Sequence, residues 1–502
     1  MEDRRWNAIF DAILDPRSSI LDPRSSILEE NMAESKLQKL YDWLDERTGV
    51  KEITREALDE PIRGGARWAY VFGSVLLFLF AIQVVTGIFL SLYYAPTADH
   101  AHASVSYIQK AVPGGALLRG LHHYGATAMV IVAVAHLAQT FLFGAYKKKR
   151  ELLWGAGVLM LLIILAFSFT GYLLPWDQAA YFGTKVGTNI AGEIPVIGPA
   201  QQRVMLGGID LTTVTLSRFF TTHVFLLPLA LAGLVGLHLY LFRRATPAGP
   251  FHNRHDKKIE RFYPKQAFKD SVAILICFAA ILAMTRYSPV ELGPVADPTS
   301  DYLARPPWYF MPLFQLLKYF PGKWAIIPTV VLPAVLFGAL FLLPFFDRRE
   351  ERNPFRRPLA TALLVLIIGG SIGLIFLAKH QDRANPEFAE QLKRQEEEMR
   401  AYFAKPFEPQ IVGAAAAVGK PMAPPKAYAE NCAACHGDNG EGAAIFPALI
   451  GISAKPQRSK EDLLKILDNS RAYGIKAPMP ENFPTMTQQE KEQVVNWMIQ
   501  LK

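Results

Sequence analysis

Cysteine is scarce in this 502-residue sequence, with only three, and two of them sit in a single tetrapeptide. A disulfide framework is therefore excluded as the source of stability. Charged side chains are also few, at 20%, against 51% hydrophobic residues and a mean hydropathy of +0.15. That balance excludes an ordinary soluble protein of this size. No apolar run precedes Trp68, so no secretory signal is expected. The sequence also carries no iron–sulfur motif of its own. What it does contain is a series of long apolar runs free of charge.

These runs are 68–98, 121–146, 152–176, 219–242, 271–285, 324–346 and 358–378. A bilayer-spanning helix needs roughly 20 apolar residues, so six qualify directly. The fifth is short and must lean on snorkelling by Lys269 and Arg286. Seven spans are expected. The net charge of +8 falls in clusters at 147–150, 243–269 and 348–357. All three loops lie on the face of the N-terminus, which the positive-inside rule makes cytoplasmic. Everything after Ala378 then lies outside. Topology accounts for the basic charge, so no nucleic-acid partner is expected.

The expected organisation is a polar, partly helical segment at 1–60, a four-helix bundle at 61–245 and a three-helix part at 246–380. A charged helix and Ala/Pro tether follow at 381–426, then a small domain at 427–502. Residues 15–28 repeat DPRSSIL in tandem. The proline in each copy argues against a coiled coil, and Met32 opens a sensible start, so 1–31 reads as an extension. An N-terminal peptide mapping upstream of Met32 would defeat that reading. Cys277, alone in the fifth span, reads as a small buried side chain.

Four of the eleven histidines have informative spacing. His122 and His136 lie fourteen residues apart in the second span, His223 and His238 fifteen apart in the fourth. Fourteen residues is close to four helical turns, so the first pair shares a face about 21 Å apart along the axis. Fifteen adds about 100° of rotation, so tilt or a local distortion must restore the register of the second pair. The two spans run in the same direction. His122 therefore meets His223 near the outer face, and His136 meets His238 near the inner face. Two stacked bis-histidine sites are what two b-type haems require. Ionisable groups at paired depths within spans are too costly to be incidental. His123 points away from the face of His122 and is assigned packing or hydrogen bonding.

Gly73 and Gly87 in the first span, and Gly157 and Gly171 in the third, are also fourteen apart. A macrocycle edge approaching backbone needs missing side chains, which suggests one glycine per haem per helix. Arg119 and Arg218, just before the outer histidines, are candidates to pair with haem propionates. Cys432-Ala-Ala-Cys435-His436 is the attachment motif of a covalent c-type haem. His436 is its proximal ligand, and Met479 is the expected second axial ligand, with Met486 the alternative. A Met/His pair raises the potential, which places this haem downstream of the other two.

Several long motifs stand in order: LYDWLDER (40–47), RGLHHYGA (119–126), KKKREL (147–152), GYLLPWDQ (171–178), IPVIG (194–198), LSRFFTTH (216–223) and NPFRRP (353–358). From about Leu40 to about Ala378 the chain resembles cytochrome b of the quinol-oxidising bc complexes. It is closest to the plastid-type split form joined into one chain, and its C-terminal domain looks like a small cytochrome c. The resemblance implies an all-α membrane protein: a four-helix bundle with two haems b, three further spans, and a small all-α domain with one haem c. It implies a quinol:cytochrome c oxidoreductase and redox-driven proton translocase, in a homodimeric complex of a prokaryotic inner membrane. It further implies an outer quinol-oxidising site, an inner quinone-reducing site and a separate Rieske iron–sulfur protein. A soluble or membrane cytochrome, or an oxidase, would be the acceptor.

Two departures from the family pattern stand out. The outer-site motif reads Pro306-Pro307-Trp308-Tyr309, with proline where the family has a proton-accepting glutamate. Proline can neither take a proton nor donate a backbone hydrogen bond. Glu291, Asp297, Asp301, Tyr309 or water must serve, or the chain is a non-bifurcating conduit from quinol to a periplasmic acceptor. The plastid-type first-span cysteine, which carries an extra haem, corresponds to Val71, so no such haem is expected.

Overall fold

The computed structural model describes residues 27–246, 248, 259–407, 424–442, 448–452, 458–475, 479–480 and 482–501. Most of the tandem heptad repeat lies outside them. Two compact units are present, divided between Phe407 and Glu408. In the first unit the described chain is almost wholly helical. Helices α1 (Ile27–Thr48) and α2 (Val50–Leu58) precede a two-stranded antiparallel ladder of β1 (Pro61–Arg63) and β2 (Ile259–Arg261).

Seven helices are long and apolar enough to cross a membrane: α3 (Phe72–Ser91), α5 (Gly115–Leu142), α6 (Glu151–Tyr172), α9 (Thr213–Ala245), α10 (Phe262–Tyr287), α12 (Ile327–Phe346) and α13 (Pro358–Ala384). They match the seven apolar runs in order. The fifth is not short after all. Its regular part spans Ala267–Tyr287 and takes Lys269, Asp270 and Arg286 into its ends. Lys269 lies over the Trp68 ring at 5.9 Å and Arg286 over Tyr287 at 6.0 Å, so both charged heads rest on aromatic faces. Asp270 is buried, its carboxylate accepting from Ser74 and Gln266, each at 2.7 Å. Val75, Leu79, Met129, Val130, Leu161, Ile164, Leu231 and Ile281 form a core between α3, α5, α6, α9 and α10.

At the His122 and His223 end of the bundle lie short helices: α4 (Ala101–Lys110), α7 (Gln178–Gly192), α8 (Gly198–Leu206) and α11 (Met311–Leu317). The stretch after α10 is laced to the end of α6. Gln178 N–H donates to the Pro294 carbonyl at 3.2 Å, and Ala296 N–H to that of Trp176 at 3.1 Å. At the opposite end, Tyr146, Lys147, Asp347 and Arg357 close the loops between spans. Lys147 donates to Asp347 at 2.8 Å, and Arg357 to Tyr146 at 2.8 Å. Beyond α13, the charged helix α14 (Pro386–Ala404) starts at Asn385, whose side chain caps its first turn. Lys110 of α4 donates to its Tyr402 carbonyl at 3.3 Å.

The second unit packs α15 (Lys426–Asn431), α16 (Ala433–His436), α17 (Lys460–Asp468) and α18 (Gln488–Gln500) around Tyr428, Leu463, Ile466, Val494 and Trp497. The Tyr428 and Trp497 rings lie 4.3 Å apart. Helices α17 and α18 each begin with a capping box, Ser459/Asp462 and Thr487/Glu490.

Candidate haem centres and outer quinol site

The fifteen-residue spacing in α9 is resolved locally. Thr222–Leu226, which contains His223, is a single π-helical turn within an otherwise regular helix. A π-turn accommodates one extra residue, so fifteen residues here span what fourteen span in α5. Pro228, which lacks an N–H to return to Val224, lies just past the turn and favours the wider loop.

The outer pair is brought together. The rings of His122 and His223 stand 6.2 Å apart between centroids, inclined at 66°. Two imidazoles sharing a metal at about 2.0–2.1 Å from each nitrogen put their centroids roughly 6 Å apart, so an iron fits between them. The tautomers fit as well. Thr86 donates its one hydroxyl proton to the Ile82 carbonyl at 2.6 Å, and its oxygen lies 3.0 Å from His122 Nδ1. The oxygen can then only accept, so Nδ1 carries the hydrogen and Nε2 keeps its lone pair for a metal. Thr170 repeats this for His223: it donates to the Ala166 carbonyl at 2.8 Å and lies 3.1 Å from Nδ1. The inner pair, His136 and His238, lies within electrostatic reach of one another. Their Nδ1 atoms are buried and make no hydrogen bond. The Leu153 carbonyl faces His238 outside bonding geometry.

The four glycines are not equivalent. A Cβ on Gly171 would meet His223 Cε1 at 2.6 Å, one on Gly87 would meet His122 Cε1 at 3.3 Å, and one on Gly157 would meet His238 Cε1 at 3.6 Å. Gly73 has nothing within 4 Å. What the outer glycines leave room for is the imidazole ring. Arg119 is engaged with the loop after α10, donating to Gln109 and to the carbonyls of Val290 at 2.7 Å and Glu291 at 3.0 Å. Arg218 is exposed and donates to the Val204 carbonyl. His123 packs edge-on against Tyr124 at 5.1 Å.

In the small domain, Cys432 starts α16, and its carbonyl accepts from Cys435 and His436 N–H at 3.1 and 2.9 Å. One tight turn thus carries all three residues of the motif. Neither cysteine is in a disulfide. Burial, with Cys435 beside it, pushes the Cys432 thiol up to about 11. Met486 is buried in the core, whereas Met479 is half-buried at its edge. An edge thioether can still turn toward a ligand; a core one already fills a packing position. These residues fit a covalent haem.

At the outer site, Pro307 stands at the entrance to α11, its carbonyl accepting from Phe310 and Met311 N–H at 2.9 and 3.2 Å. A missing N–H costs nothing at a helix start. Tyr309 packs edge-on against Phe310 at 4.9 Å, while Trp308 is exposed. Arg305, just before the motif, makes a two-point ion pair with Asp382 of α13 at 2.6 and 2.8 Å. Asp297 is exposed and bonded to Thr299, and Asp301 is exposed beside Arg394.

Three family models match the chain: cytochrome b/b6/petB over residues 58–246, cytochrome b(C-terminal)/b6/petD over 297–393, and cytochrome c over 425–502. The cytochrome bc complex cytochrome b subunit of Chlorobaculum thiosulfatiphilum is 34% identical over 353 residues, 67% of this chain and 79% of that one. The chain belongs to the cytochrome b family of bc complexes. Both halves of the cytochrome b are joined in one chain, with a cytochrome c domain fused behind them. The menaquinol:cytochrome c reductase cytochrome b subunit of Geobacillus thermodenitrificans is 41% identical over 222 residues, covering 43% of this chain and 99% of its own. A solved structure titled hyperthermophilic respiratory Complex III superposes with a TM-score of 0.62 at 31% identity, over 72% of this chain and 96% of that one. The protein is thus a multi-pass membrane electron-transport subunit, and its domains imply haem b and haem c.

For a cytochrome b/c fusion, sequence reasoning missed Thr86 and Thr170. A signal was present, because threonine precedes glycine at Thr86-Gly87 and Thr170-Gly171 but not at Gly73 or Gly157. The Arg305–Asp382 pair, 77 residues apart, had no such signal.

Proposed function

We propose that this subunit oxidises quinol at the outer face of a prokaryotic inner membrane and divides the electrons. One goes to a separate Rieske protein and on through the fused haem c; the other crosses the membrane. His122 and His223 hold the outer haem b, His136 and His238 the inner one, and Cys432, Cys435, His436 and Met479 the haem c. Bound there, these groups supply one-electron chemistry at iron. The facing outer imidazoles at 6.2 Å carry the reading. Thr86 and Thr170 hold both rings in the metal-binding tautomer, and Tyr309 and Trp308 line the quinol site. Arg305 and Asp382 anchor the loop carrying that site to α13. Two relatives are named menaquinol:cytochrome c reductase subunits, so menaquinol is the substrate to test first. An inner quinone-reducing site, proton release outside, a homodimer, a cytoplasmic N-terminus and an external cytochrome or oxidase as acceptor complete the proposal.

Pro307 favours a second reading, a conduit that oxidises quinol without bifurcation. Purification of the intact complex separates the two. Bifurcation requires a Rieske signal and inhibitor-sensitive quinol oxidation that reduces the b haems when their reoxidation is blocked. Absence of both leaves the conduit.

A further inference from the structure

With proline at position 307, the outer site needs another proton acceptor. Of the carboxylates in the loop, Asp297 and Asp301 face solvent and already have partners, and Glu291 is engaged through its backbone carbonyl with Arg119. Asp177, the seventh residue of GYLLPWDQ, is placed differently. It caps α7, with Oδ1 accepting from Ala180 N–H at 2.9 Å, while Oδ2 accepts only a long 3.3 Å bond from Gly293 N–H. A carboxylate has about four acceptor positions, so room remains for a proton.

Both sides of Asp177 are furnished. Toward the outer-site motif, Tyr172 lies within electrostatic reach of Asp177, Tyr302 and Tyr309. Behind it, Asp177 lines a cavity of about 230 Å³ of mixed character, bounded by Gln178, Ser300, Tyr302, Arg394 and Glu396 as well as by apolar Leu392 and Met399 of α14. That volume holds several waters at about 30 Å³ each. The cavity reaches solvent, since the Asp301 and Glu396 side chains on its wall are 86% and 53% exposed.

We propose that Asp177 takes the quinol proton in place of the missing glutamate, and that this cavity is the route by which the proton leaves. The assignment rests on quinol oxidation at the outer site as proposed above. One quinol O–H gives its proton over the Tyr172 and Tyr302 hydroxyls to Oδ2 and then to cavity water, while one electron goes to the outer haem b. The proton and electron of the other O–H leave to the Rieske protein, and quinone remains. The other groups facing Asp177 are Arg119 from α5 and His102 from α4. His102 donates from Nε2 to the Gly293 carbonyl at 2.8 Å, and burial holds it below its usual range.

The test compares Asp177→Asn with wild type in the purified complex, using a menaquinol analogue. Asparagine keeps the helix cap but cannot take the proton. The expected result is a kcat lower by on the order of 100-fold, with KM within about twofold, normal haem spectra and loss of the acid limb of the pH profile. Asp177→Glu should retain that limb. Ala179→Phe, on the cavity wall, should slow turnover with Asp177 intact, and it decides the matter if Asp177→Asn fails to assemble. Wild-type kcat and pH profile in Asp177→Asn, or wild-type kcat in Ala179→Phe, overturns the assignment while leaving the quinol chemistry standing. A wild-type complex inert to quinol overturns both.

Discussion

The four glycines opposite the histidines give a graded test, because chain spacing makes them look alike and the structure does not. A Cβ at Gly171 falls 2.6 Å from His223 Cε1 and 3.2 Å from both ring nitrogens. Ordinary carbon contact is roughly 3.5–4.0 Å, so the ring must retreat by about 1 Å. It has nowhere simple to go, since Thr170 fixes Nδ1 from the same helix at 3.1 Å. Overpacking of this kind costs about 1–3 kcal/mol, and here the strain falls on a metal ligand. Gly171→Ala is therefore expected to lose the outer haem b or shift its potential strongly. Gly87→Ala, at 3.3 Å, should have a smaller effect; Gly157→Ala, at 3.6 Å, and Gly73→Ala, with no neighbour within 4 Å, should have little. Reduced-minus-oxidised spectra with redox titration resolve the two b haems, and the fused haem c serves as the internal standard. Equal sensitivity at all four positions would refute the argument and show that the macrocycle edge, not the imidazole, requires the glycines.

Substituting His136 by leucine should remove the inner haem b alone, and spectral loss of the outer haem instead would overturn the pairing of His136 with His238. Met479→Ala should lower the haem c potential in a domain that stays folded, whereas Met486→Ala should cost about 2–5 kcal/mol of domain stability as a core truncation; calorimetry alongside potentiometry separates them. Asp382→Asn breaks the pair with Arg305, whose side chains are 16% and 10% exposed, and should cost up to about 3–5 kcal/mol; thermal inactivation of quinol oxidation reads it, and an unchanged midpoint would contradict the role given to the pair. The capping carboxylates Asp462 and Glu490 are held below their ordinary values by hydrogen bonds from Ser459 and Thr487. Their contribution is complete above the ordinary carboxylate range and is lost as pH falls through the lowered values, so the stability of the small domain should decline in acid below about pH 4, less so in a Ser459→Ala, Thr487→Ala double variant.

Much of this was legible in the chain because the relevant periods are local. Apolar run length set the seven crossings, since a bilayer fixes how many residues a helix needs. The fourteen-residue period put His122 and His136 on one face, and Cys432, Cys435 and His436 announce their chemistry within five residues. The chain even stated its own difficulty, a fifteen-residue spacing in α9 that a regular helix cannot absorb. Which distortion absorbs it, a π-turn at His223 itself with Pro228 just past it, is visible only in the fold. Likewise, identical spacing concealed that the outer glycines press on imidazoles while Gly73 faces open space. The fifth span looked short because Lys269, Asp270 and Arg286 interrupt its apolar run. Only the fold supplies Trp68 to Lys269 and Ser74 to Asp270, which join the local partners Gln266 and Tyr287 in letting those charges sit within a helix. Asp177 beside its cavity and Arg305 against Asp382 join segments far apart in the chain, so no period or spacing records them. Sequence alone determined how many helices cross and which side chains repeat; the tertiary structure decided which of those side chains meet, because contact depends on rotation and burial that no linear spacing carries.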